Sequence, residues 1–493
     1  MLSAEIKKEG PLHSISPLAL IFGICCIFSM VCVCGCLGGG SSGSEPSHDH
    51  DCKSPGSEAP PAEVPGEIAI PAEIAIEVPT DYWGKLPLAR IETEEGRRQR
   101  PKIRAILEGC CGRLHILCLR ALADGDYQIG YLVWDWQSAH QQPADQELLE
   151  PAVFEPVARV KNYLLPALNL TCGDSCPVAA WRGGRLLRGC SEDEGEQESQ
   201  AMLGLRAGGV WSSCIGAEGE EGEIGSLVRL AGAEVSIIAD SQGYIHLGYQ
   251  QVSENCQDKS NLADLYYLKK HRFNLKEKVS AQMVEEDQGS GPHIFGAHCA
   301  IILDDSEQPV IFHFAQFSDQ SQGLRMARKR SDGTWQREWV EQGCEVGCIS
   351  CARDKRSKRI GVAYYVKSYT PGGIKHCLRY ASAADGQFSS WELMMVDDSA
   401  ECGDYCSLAF DSEGCPVIAY YEMKAKSGYP LKNLKLAYLK ADFWAREVVA
   451  SEGDIGLDNN LYLDDDNRAF ICSYSATEKM LYLFYRDLTY WYD

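Results

Sequence analysis

One phrase recurs seven times between residue 103 and the C-terminus, and its clearest copy is SLAFDSEGCPVIAYY at residues 407–421. The phrase consists of an apolar run, an acidic turn with small or polar residues, and a second apolar run that ends in aromatic residues. A third apolar run such as LKLAY follows, and then a fourth that opens on tryptophan. Alternation of this kind predicts four short antiparallel strands in each unit.

The acidic turn serves as a ruler for the copies, which lie roughly 50 to 70 residues apart. It falls at Glu108, Thr171 (an imperfect copy), Asp240, Asp304, Asp354, Asp411 and Asp464. A four-stranded unit at this period predicts a β-propeller, because a small twisted sheet can bury its faces only against neighbouring sheets. The alternative is a β-sandwich or a pair of smaller β domains, since many short strands suit either. The turn acids themselves are predicted to cap tight turns.

The two ends of the chain predict how the ring of sheets closes. The seventh unit stops at Asp493, too soon for a full outer strand. Near the other end, YWGKLPLARIETEEG at residues 82–96 reads like FWAREVVASEGDIG at residues 443–456. The sequence therefore predicts an all-β, seven-bladed β-propeller over residues 82–493. Its N-terminal strand completes the last blade, so that no sheet edge stays open.

The N-terminal residues predict export and attachment to a membrane. Two lysines precede an almost wholly apolar stretch at residues 16–36, which is typical of a signal sequence or a membrane anchor. VCGC at residues 33–36 resembles the lipobox of bacterial lipoproteins, and the resemblance implies lipidation at Cys36. The alternative is an uncleaved signal anchor with its basic end in the cytoplasm. Residues 37–81, rich in Gly, Ser, Pro and Glu, predict an extended stalk outside the cytoplasm, at the cell surface or in the periplasm.

Composition limits the partners. The chain has 70 acidic against 47 basic residues and a net charge of -23, which argues against nucleic acid because phosphate contacts need a basic surface. Of its 23 cysteines, 5 lie in the first 36 residues, and the even number that remains predicts disulfides in an exported chain.

Three cysteine pairs have C-x3-C spacing: Cys172 with Cys176, Cys344 with Cys348, and Cys402 with Cys406. Disulfides across loops are the first interpretation. A metal site is the second interpretation; it ranks below disulfides because no histidine shares these loops at ligand spacing. Free thiols, as in an anaerobe, are the third. No cofactor is assigned.

A face of the predicted ring is the default ligand site, because loops held by a rigid scaffold carry function. The loops that lead into the first two units carry Arg97, Arg100, Arg104 and Arg159. Arginine binds carboxylates and phosphates through two parallel hydrogen bonds, so this sector predicts an anionic ligand such as an acidic glycan. The alternative is pairing with neighbouring acidic loops.

Across the ring, the corresponding loops are GPHIFGAHC, CGDYC and GLDNN, with His298, Asp404 and Asp458. These residue types suit acid–base work or calcium binding, although no pair has a spacing that demands it. The alternative for each is a loop residue that satisfies local backbone groups.

The repeat resembles that of sialidase-related (BNR-like) propellers of prokaryotic cell surfaces, many of them lipoproteins. The resemblance rests on SLAFDSEGCPVIAYY, LKLAY and Trp444 with Glu447, and it implies the propeller architecture of residues 82–493. True sialidases carry Asp-box motifs, a three-arginine clamp, a tyrosine paired with glutamate and a catalytic aspartate. Here SDGTW at residues 331–335 matches part of one Asp box, and the clamp and the tyrosine–glutamate pair are not placed.

The first functional interpretation is a membrane-tethered propeller that binds a glycan or another surface protein without catalysis. The alternative is a glycoside hydrolase or polysaccharide lyase that acts on acidic glycans. The arginines at residues 97–104 would hold a substrate carboxylate, and an acid or histidine from the opposite loops would transfer the proton.

Overall fold

The computed structural model describes residues 83–90, 104–108, 113–122, 126–135, 154–160, 168–173, 176–186, 197–207, 210–217, 227–255, 261–285, 287, 291–370, 373–384 and 386–488. They belong to the larger of two compact regions, Ala75–Asp493. Among them, the only helical segment is the short 3-10 turn Arg272–Asn274, and no helix could span a membrane. The predicted anchor, Cys36 and the stalk lie outside the described residues.

The described residues are almost entirely β-strand. In chain order the strands are β1 (Gly84–Arg90), β2 (Arg104–Glu108), β3 (Arg113–Ala121), β4 (Tyr127–Asp135), β5 (Glu155–Val160), β6 (Leu168–Gly173), β7 (Cys176–Leu186), β8 (Gln197–Ala207), β9 (Val210–Ala217), β10 (Leu227–Ala239), β11 (Tyr244–Asn255), β12 (Asn261–His271), β13 (Gln282–Glu285), β14 (His293–Leu303), β15 (Pro309–Gln316), β16 (Gln322–Lys329), β17 (Trp335–Gln342), β18 (Glu345–Arg353), β19 (Ile360–Thr370), β20 (Gly373–Ala383), β21 (Glu392–Asp397), β22 (Ala400–Phe410), β23 (Pro416–Ala425), β24 (Pro430–Lys440), β25 (Phe443–Ala450), β26 (Leu457–Leu463), β27 (Arg468–Ser475) and β28 (Met480–Asp487).

The strands pair as antiparallel units of four, numbered here in chain order. Unit I is β2–β5, unit II β6–β9, unit III β10–β13, unit IV β14–β17, unit V β18–β21 and unit VI β22–β25. Units III and IV share one eight-stranded sheet, because β12 and β14 pair in parallel where Leu262 lies opposite His293. Unit VII combines β26, β27 and β28 with β1, and Gly84 lies opposite Tyr485. The N-terminal strand is therefore paired where the likeness between the two ends predicts it.

The acidic turns cap the loops between the first and second strands. Asp304 Oδ1 accepts the backbone N–H groups of Ser306 at 2.9 Å and Gln308 at 2.8 Å. Asp240, Asp411 and Asp464 make the same two bonds, and Asp354 accepts two backbone N–H groups through its two oxygens. The capping role predicted for these acids is confirmed at the five aspartates, because each carboxylate satisfies backbone donors that the tight turn leaves unpaired.

Buried carboxylates join neighbouring units. Asp397, at the end of β21, accepts the Tyr420 hydroxyl at 2.7 Å and the Lys435 ammonium at 2.9 Å, both from unit VI. Two more acids make the same kind of link: Glu341 with Tyr364 and Arg379, and Glu285 with His313 and Arg325. In every case the two partners lie directly opposite each other on the second and third strands of the next unit. Glu285, Glu341 and Asp397 are called the inter-unit carboxylates below.

The first strands of the units lie side by side in chain order. β2 contacts β6, β6 contacts β10, and the series continues through β14, β18 and β22 to β26, which contacts β2. Apolar clusters fill the spaces between consecutive units, for example Phe312 and Val340 of unit IV against Val362 and Val366 of unit V. The described residues thus form an all-β, propeller-like arrangement of small sheets packed face to face.

Asp304→Ala should lower the free energy of unfolding by about 2–4 kcal/mol. Asp304 is fully buried, and its loss leaves two backbone N–H donors and the Arg328 guanidinium, 2.7 Å away, without their acceptor. Urea or thermal denaturation of the purified protein measures the change. The matched control is Asp332→Ala, which removes an exposed turn acid that bonds Thr334 in the same unit. Equal losses in both variants would contradict the structural weight given to Asp304.

Candidate functional site

The first strands of units IV to VII share a bulge, where two residues face one on the partner strand. A residue at positive φ marks it in each: His298 at 54°, Cys348 at 46°, Tyr405 at 52° and Asp458 at 50°. Positive φ is uncommon for residues with a Cβ, and bulges often re-aim side chains beside functional sites. Because β14, β18, β22 and β26 are neighbours, the four bulges form one row across the units.

Two of the predicted site residues meet unit V at this bulge row. Asp404 Oδ1 accepts a hydrogen bond from Cys348 Sγ at 2.7 Å and from the Tyr405 N–H at 3.1 Å. His298 Nε2 lies 3.8 Å from the point where a Cβ on Gly347 would stand. His298 and Asp404, from units IV and VI, therefore flank the bulged strand of unit V on its two sides.

The third predicted residue, Asp458, is buried at the bulge of unit VII. The next residue, Asn459, is only 4% exposed, and neither polar atom of its side-chain amide has a hydrogen-bond partner among the described residues. A buried amide normally has a partner, so Asn459 marks this end of β26 as an unusual position in the row.

The second and third strands of unit V place a group of polar side chains on one face. Glu345, Lys367 and His376 lie directly opposite one another across β18, β19 and β20. Tyr365 shares that face with Lys367, because side chains two residues apart on a strand point the same way. The ring of Tyr365 lies over Gly347, with Cδ1 3.4 Å from the site of a Cβ.

Tyr365, His376 and Glu401 form a chain of contacts between units V and VI. The Tyr365 hydroxyl is hydrogen-bonded to His376 Nδ1. His376 Nε2 lies 3.6 Å from Glu401 Oε1, and Glu401 belongs to β22. The neutral tautomer with its hydrogen on Nε2 would let Nδ1 accept the tyrosine proton and would place an N–H group on the side of Glu401. A hydroxyl, a base and a carboxylate that orients the base are the parts of an activated nucleophile or proton-transfer site. We call these three residues the relay.

Burial sets the protonation of the relay. It is the largest influence on His376, whose pKa is lowered, and Lys367 and Lys424 lower that pKa further against the opposing effect of Glu401. Burial also raises the pKa of Tyr365, and the charge of Asp404 adds to the rise. At neutral pH the imidazole is therefore uncharged and able to accept a proton, while the phenol keeps its own.

Lysines accompany the carboxylates of the site. Lys367 Nζ lies 3.2 Å from Glu345, whose other contact is the Tyr369 hydroxyl at 3.1 Å. Lys424 Nζ lies 3.6 Å from Glu401. We call the surface around the relay, where units V and VI meet, the mouth between these units. It carries ion-paired charges of both signs around an uncharged histidine.

Tyr365 is half-buried, whereas the residues at its strand position in units IV and VI are buried. The side chains of His376 and Glu401 are 20% and 24% exposed. Phe314 and Tyr421, which occupy the position of Tyr365 in units IV and VI, are 8% and 1% exposed. Tyr421 donates to Asp454 at 2.7 Å instead of to a histidine. Unit V therefore departs from the repeat at the point where a solute can reach a proton-transfer group.

The predicted cationic sector is only partly within the described residues. Arg97 and Arg100 lie outside them, and Arg104 begins β2 but its side chain is not described. Arg159 lies on β5 and forms an ion pair with Asp126 at 2.9 Å, which is the alternative weighed for these arginines. Among the described residues, no group of three or more His, Cys, Asp or Glu is arranged to hold a metal ion.

Sequence reasoning missed the relay itself. Tyr365 and His376 are separated by a hairpin, and Glu401 comes from the next unit, so only the strand register brings them together. A usable signal was the sequence IKHCLRY at residues 374–380, where a histidine stands at the start of a strand in a chain with 11 histidines.

The prediction of disulfides across loops is wrong for the two C-x3-C pairs whose side chains the structure describes. Cys344, Cys348, Cys402 and Cys406 are free thiols. Each pair spans a bulge, and the bulge sends its side chains to separate acceptors. Cys402 Sγ lies 3.3 Å from the Asp397 carbonyl, and Cys406 Sγ lies 2.6 Å from the Cys348 carbonyl. The side chains of Cys172 and Cys176 lie outside the described residues.

Comparison with known proteins gives structural neighbours only. No protein family and no curated protein matches the chain. A Hadza microbial sialidase is 8% identical over 74% of this chain and 74% of its own, with a TM-score of 0.42. An ulvan lyase, described as a new family of polysaccharide lyase, is 12% identical over 72% of this chain and 82% of its own, with a TM-score of 0.44. An α-L-arabinanase of Cellvibrio cellulosa is 13% identical over 57% of this chain and 94% of its own, with a TM-score of 0.30.

Cys348 should react slowly with iodoacetamide in the folded protein, because burial and the neighbouring Asp404 raise the pKa of its thiol. Asp404→Asn should accelerate its alkylation several-fold by removing the charge that opposes the thiolate. Peptide mapping by mass spectrometry without reductant measures both effects, with Cys415 as the internal control. Recovery of Cys344 or Cys348 in a disulfide-linked peptide would contradict the assignment of free thiols.

Proposed function

We propose that this protein is a carbohydrate-cleaving enzyme, a polysaccharide lyase or glycoside hydrolase, that acts on acidic glycans at the mouth between units V and VI. The relay of Tyr365, His376 and Glu401 is the observation that carries the proposal. It joins a hydroxyl to an uncharged imidazole that lies 3.6 Å from a carboxylate, at a position that solvent reaches. Binding without catalysis, which is the first interpretation of the sequence, needs no such chain of proton donor and acceptor.

The proposed scaffold is a closed, seven-bladed propeller formed by units I to VII. Its closure is supported by the pairing of β1 with β28 and by the contact of β26 with β2. A rigid ring suits catalysis because it holds groups from different units in a fixed geometry without an ordering cost on binding. The bulge row would then line one end of the central channel.

The proposed setting is the outer side of a membrane. Residues 1–36 would anchor the chain, through a lipid on Cys36 or an uncleaved signal anchor, and residues 37–81 would form a stalk. This places the enzyme at the cell surface or in the periplasm, where polysaccharides are its accessible partners. The net charge of -23 makes nucleic acid an unsuitable ligand.

The charges around the relay favour elimination over hydrolysis. A hydrolase of the usual kind needs one protonated carboxyl as its general acid. Here Glu345 and Glu401 are each ion-paired with a lysine. The groups left for proton transfer are Tyr365 and His376, which suit removal of an acidic hydrogen next to a uronate carboxylate.

In the proposed elimination, Tyr365 and His376 act together. The carbon–hydrogen bond beside the uronate carboxylate breaks as the Tyr365 oxygen takes the proton and passes its own to His376 Nδ1. The electron pair forms a carbon–carbon double bond, and the glycosidic carbon–oxygen bond breaks. The proton held by the tyrosine and histidine then goes to the leaving oxygen. Glu401 stabilises the transient imidazolium, and Lys367 or Arg97 and Arg100 would hold the substrate carboxylate.

Tyr365→Phe should reduce cleavage of the substrate glycan by about 10²–10⁴-fold, because the ring stays and only the hydroxyl is lost. The assay follows reducing ends and the ultraviolet absorbance of unsaturated uronate on polygalacturonate, alginate, hyaluronan, chondroitin sulfate and neutral dextran. The matched control is Tyr244→Phe, which removes a tyrosine hydroxyl from the second strand of unit III, away from the relay. New reducing ends without ultraviolet absorbance would replace elimination by hydrolysis, and binding without cleavage of any polymer would overturn the enzymatic proposal.

The pH dependence should identify His376 as the base. Its pKa is lowered, so kcat/KM should fall only below the ordinary histidine range, as the imidazole becomes protonated. Glu401 raises this pKa and Lys367 lowers it. Glu401→Gln should therefore move the acid limb to lower pH, and Lys367→Gln should move it to higher pH. Lys355→Gln, in an exposed turn of unit V, is the control, and shifts of the same sign in the first two variants would contradict the assignment.

A further inference from the structure

We propose that the β23–β24 hairpin of unit VI is a binding arm for an acidic sugar next to the relay. The arm consists of Lys424, Lys426, Tyr429 and Lys432 around the turn that joins the two strands. This inference rests on the proposed function for the reaction, but the binding that it describes is testable without catalysis.

The arm is continuous with the relay. Lys424 Nζ lies 3.6 Å from Glu401 Oε2, while His376 Nε2 lies 3.6 Å from Oε1 of the same carboxylate. A ligand that contacts the relay therefore reaches the base of the hairpin without leaving the surface. This continuity favours one extended ligand over a separate protein partner.

Tyr429 offers an unused aromatic face at the tip of the arm. It is 69% exposed, as high as any large apolar or aromatic side chain in the part of the chain that the structure describes. An aromatic side chain with an apolar face and a polar tip is well suited to cover the carbon–hydrogen face of a sugar ring while it bonds a hydroxyl. In the folded protein alone, so much exposed ring contributes little to stability.

The lysines give the arm a charge opposite to that of the whole chain. Lys424 and Lys432 are ion-paired, with Glu401 at 3.6 Å and Asp454 at 2.9 Å. Lys426 makes no ion pair with any described residue, so its ammonium remains available to a ligand anion. In a protein with a net charge of -23, a free cation beside an exposed aromatic ring favours a carboxylated or sulfated sugar over a neutral one.

A second exposed surface lies on the β19–β20 hairpin of the neighbouring unit V. Tyr369 and Ile374 face each other across the β19–β20 hairpin of unit V and are 48% and 50% exposed. Tyr369 is four residues from Tyr365 on the same strand face, a distance of about 13 Å. The two hairpins, in neighbouring units, thus offer one exposed aromatic residue each to an extended chain.

The test measures binding and cleavage separately in the full-length protein, purified in detergent. Binding of polygalacturonate, alginate, hyaluronan, chondroitin sulfate and neutral dextran is measured in the Tyr365→Phe background, where no polymer is consumed. Tyr429→Ala and Lys426→Ala should each weaken binding of the recognised acidic polymer about tenfold, a change of 1.4 kcal/mol. In the active protein they should raise KM for that polymer by a similar factor and leave kcat unchanged.

The matched control is Phe443→Ala. Phe443 is 59% exposed and lies at the start of β25, at the opposite end of the same unit. Binding that depends on Tyr429 and Lys426 without any cleavage would support the arm and remove the enzymatic proposal. Cleavage with unchanged KM in both arm variants, or an equal loss in Phe443→Ala, would overturn the arm and leave the enzyme. No binding and no cleavage of any acidic polymer would overturn both.

Discussion

The inter-unit carboxylates hold the site together. Asp397 is fully buried, and its charge is tolerated because Lys435, Tyr420 and Arg446 surround it and keep its pKa well below the usual range. Removing one partner of such a group is costly, because the other charges stay buried and unpaired. The link also fixes how unit V and unit VI face each other. Since Tyr365 and His376 come from one unit and Glu401 from the next, the relay exists only while that packing is maintained.

The relay lies where one unit departs from the repeat. At the position of Tyr365, unit VI has the buried Tyr421, which bonds Asp454, and unit IV has Phe314. Phe314 contributes packing, and Tyr421 contributes packing and one hydrogen bond, to Asp454. Unit V replaces the buried contact by a histidine on the third strand, and the bulge in β18 leaves a glycine under the tyrosine ring. The hydroxyl of Tyr421 bonds a carboxylate, whereas the hydroxyl of Tyr365 bonds a histidine. On the proposed function, this change of partner lets the Tyr365 hydroxyl exchange a proton with a ligand.

The fold follows from the sequence because period and turn chemistry are local. The acidic turns at Asp304 and Asp411 predict both the hairpins and their caps, and the likeness of residues 82–96 to residues 443–456 predicts the pairing of β1 with β28. The relay is not predictable in this way, because it depends on strand register and on contacts between units. The C-x3-C pairs misled for the same reason: their spacing is set by a bulge, which the sequence shows only as a glycine or a polar residue.

Local charge, not the charge of the whole chain, decides what the mouth can bind. Interactions between exposed charges fade over about 8–10 Å at physiological ionic strength, so most of the net -23 is screened from a ligand at the relay. Within that distance Lys367 and Lys424 are paired with Glu345 and Glu401, and the imidazole is uncharged, so a cation left for a ligand anion is Lys426 on the arm. On the proposed function, a polyanionic glycan would be held by this local positive charge although the protein as a whole is acidic.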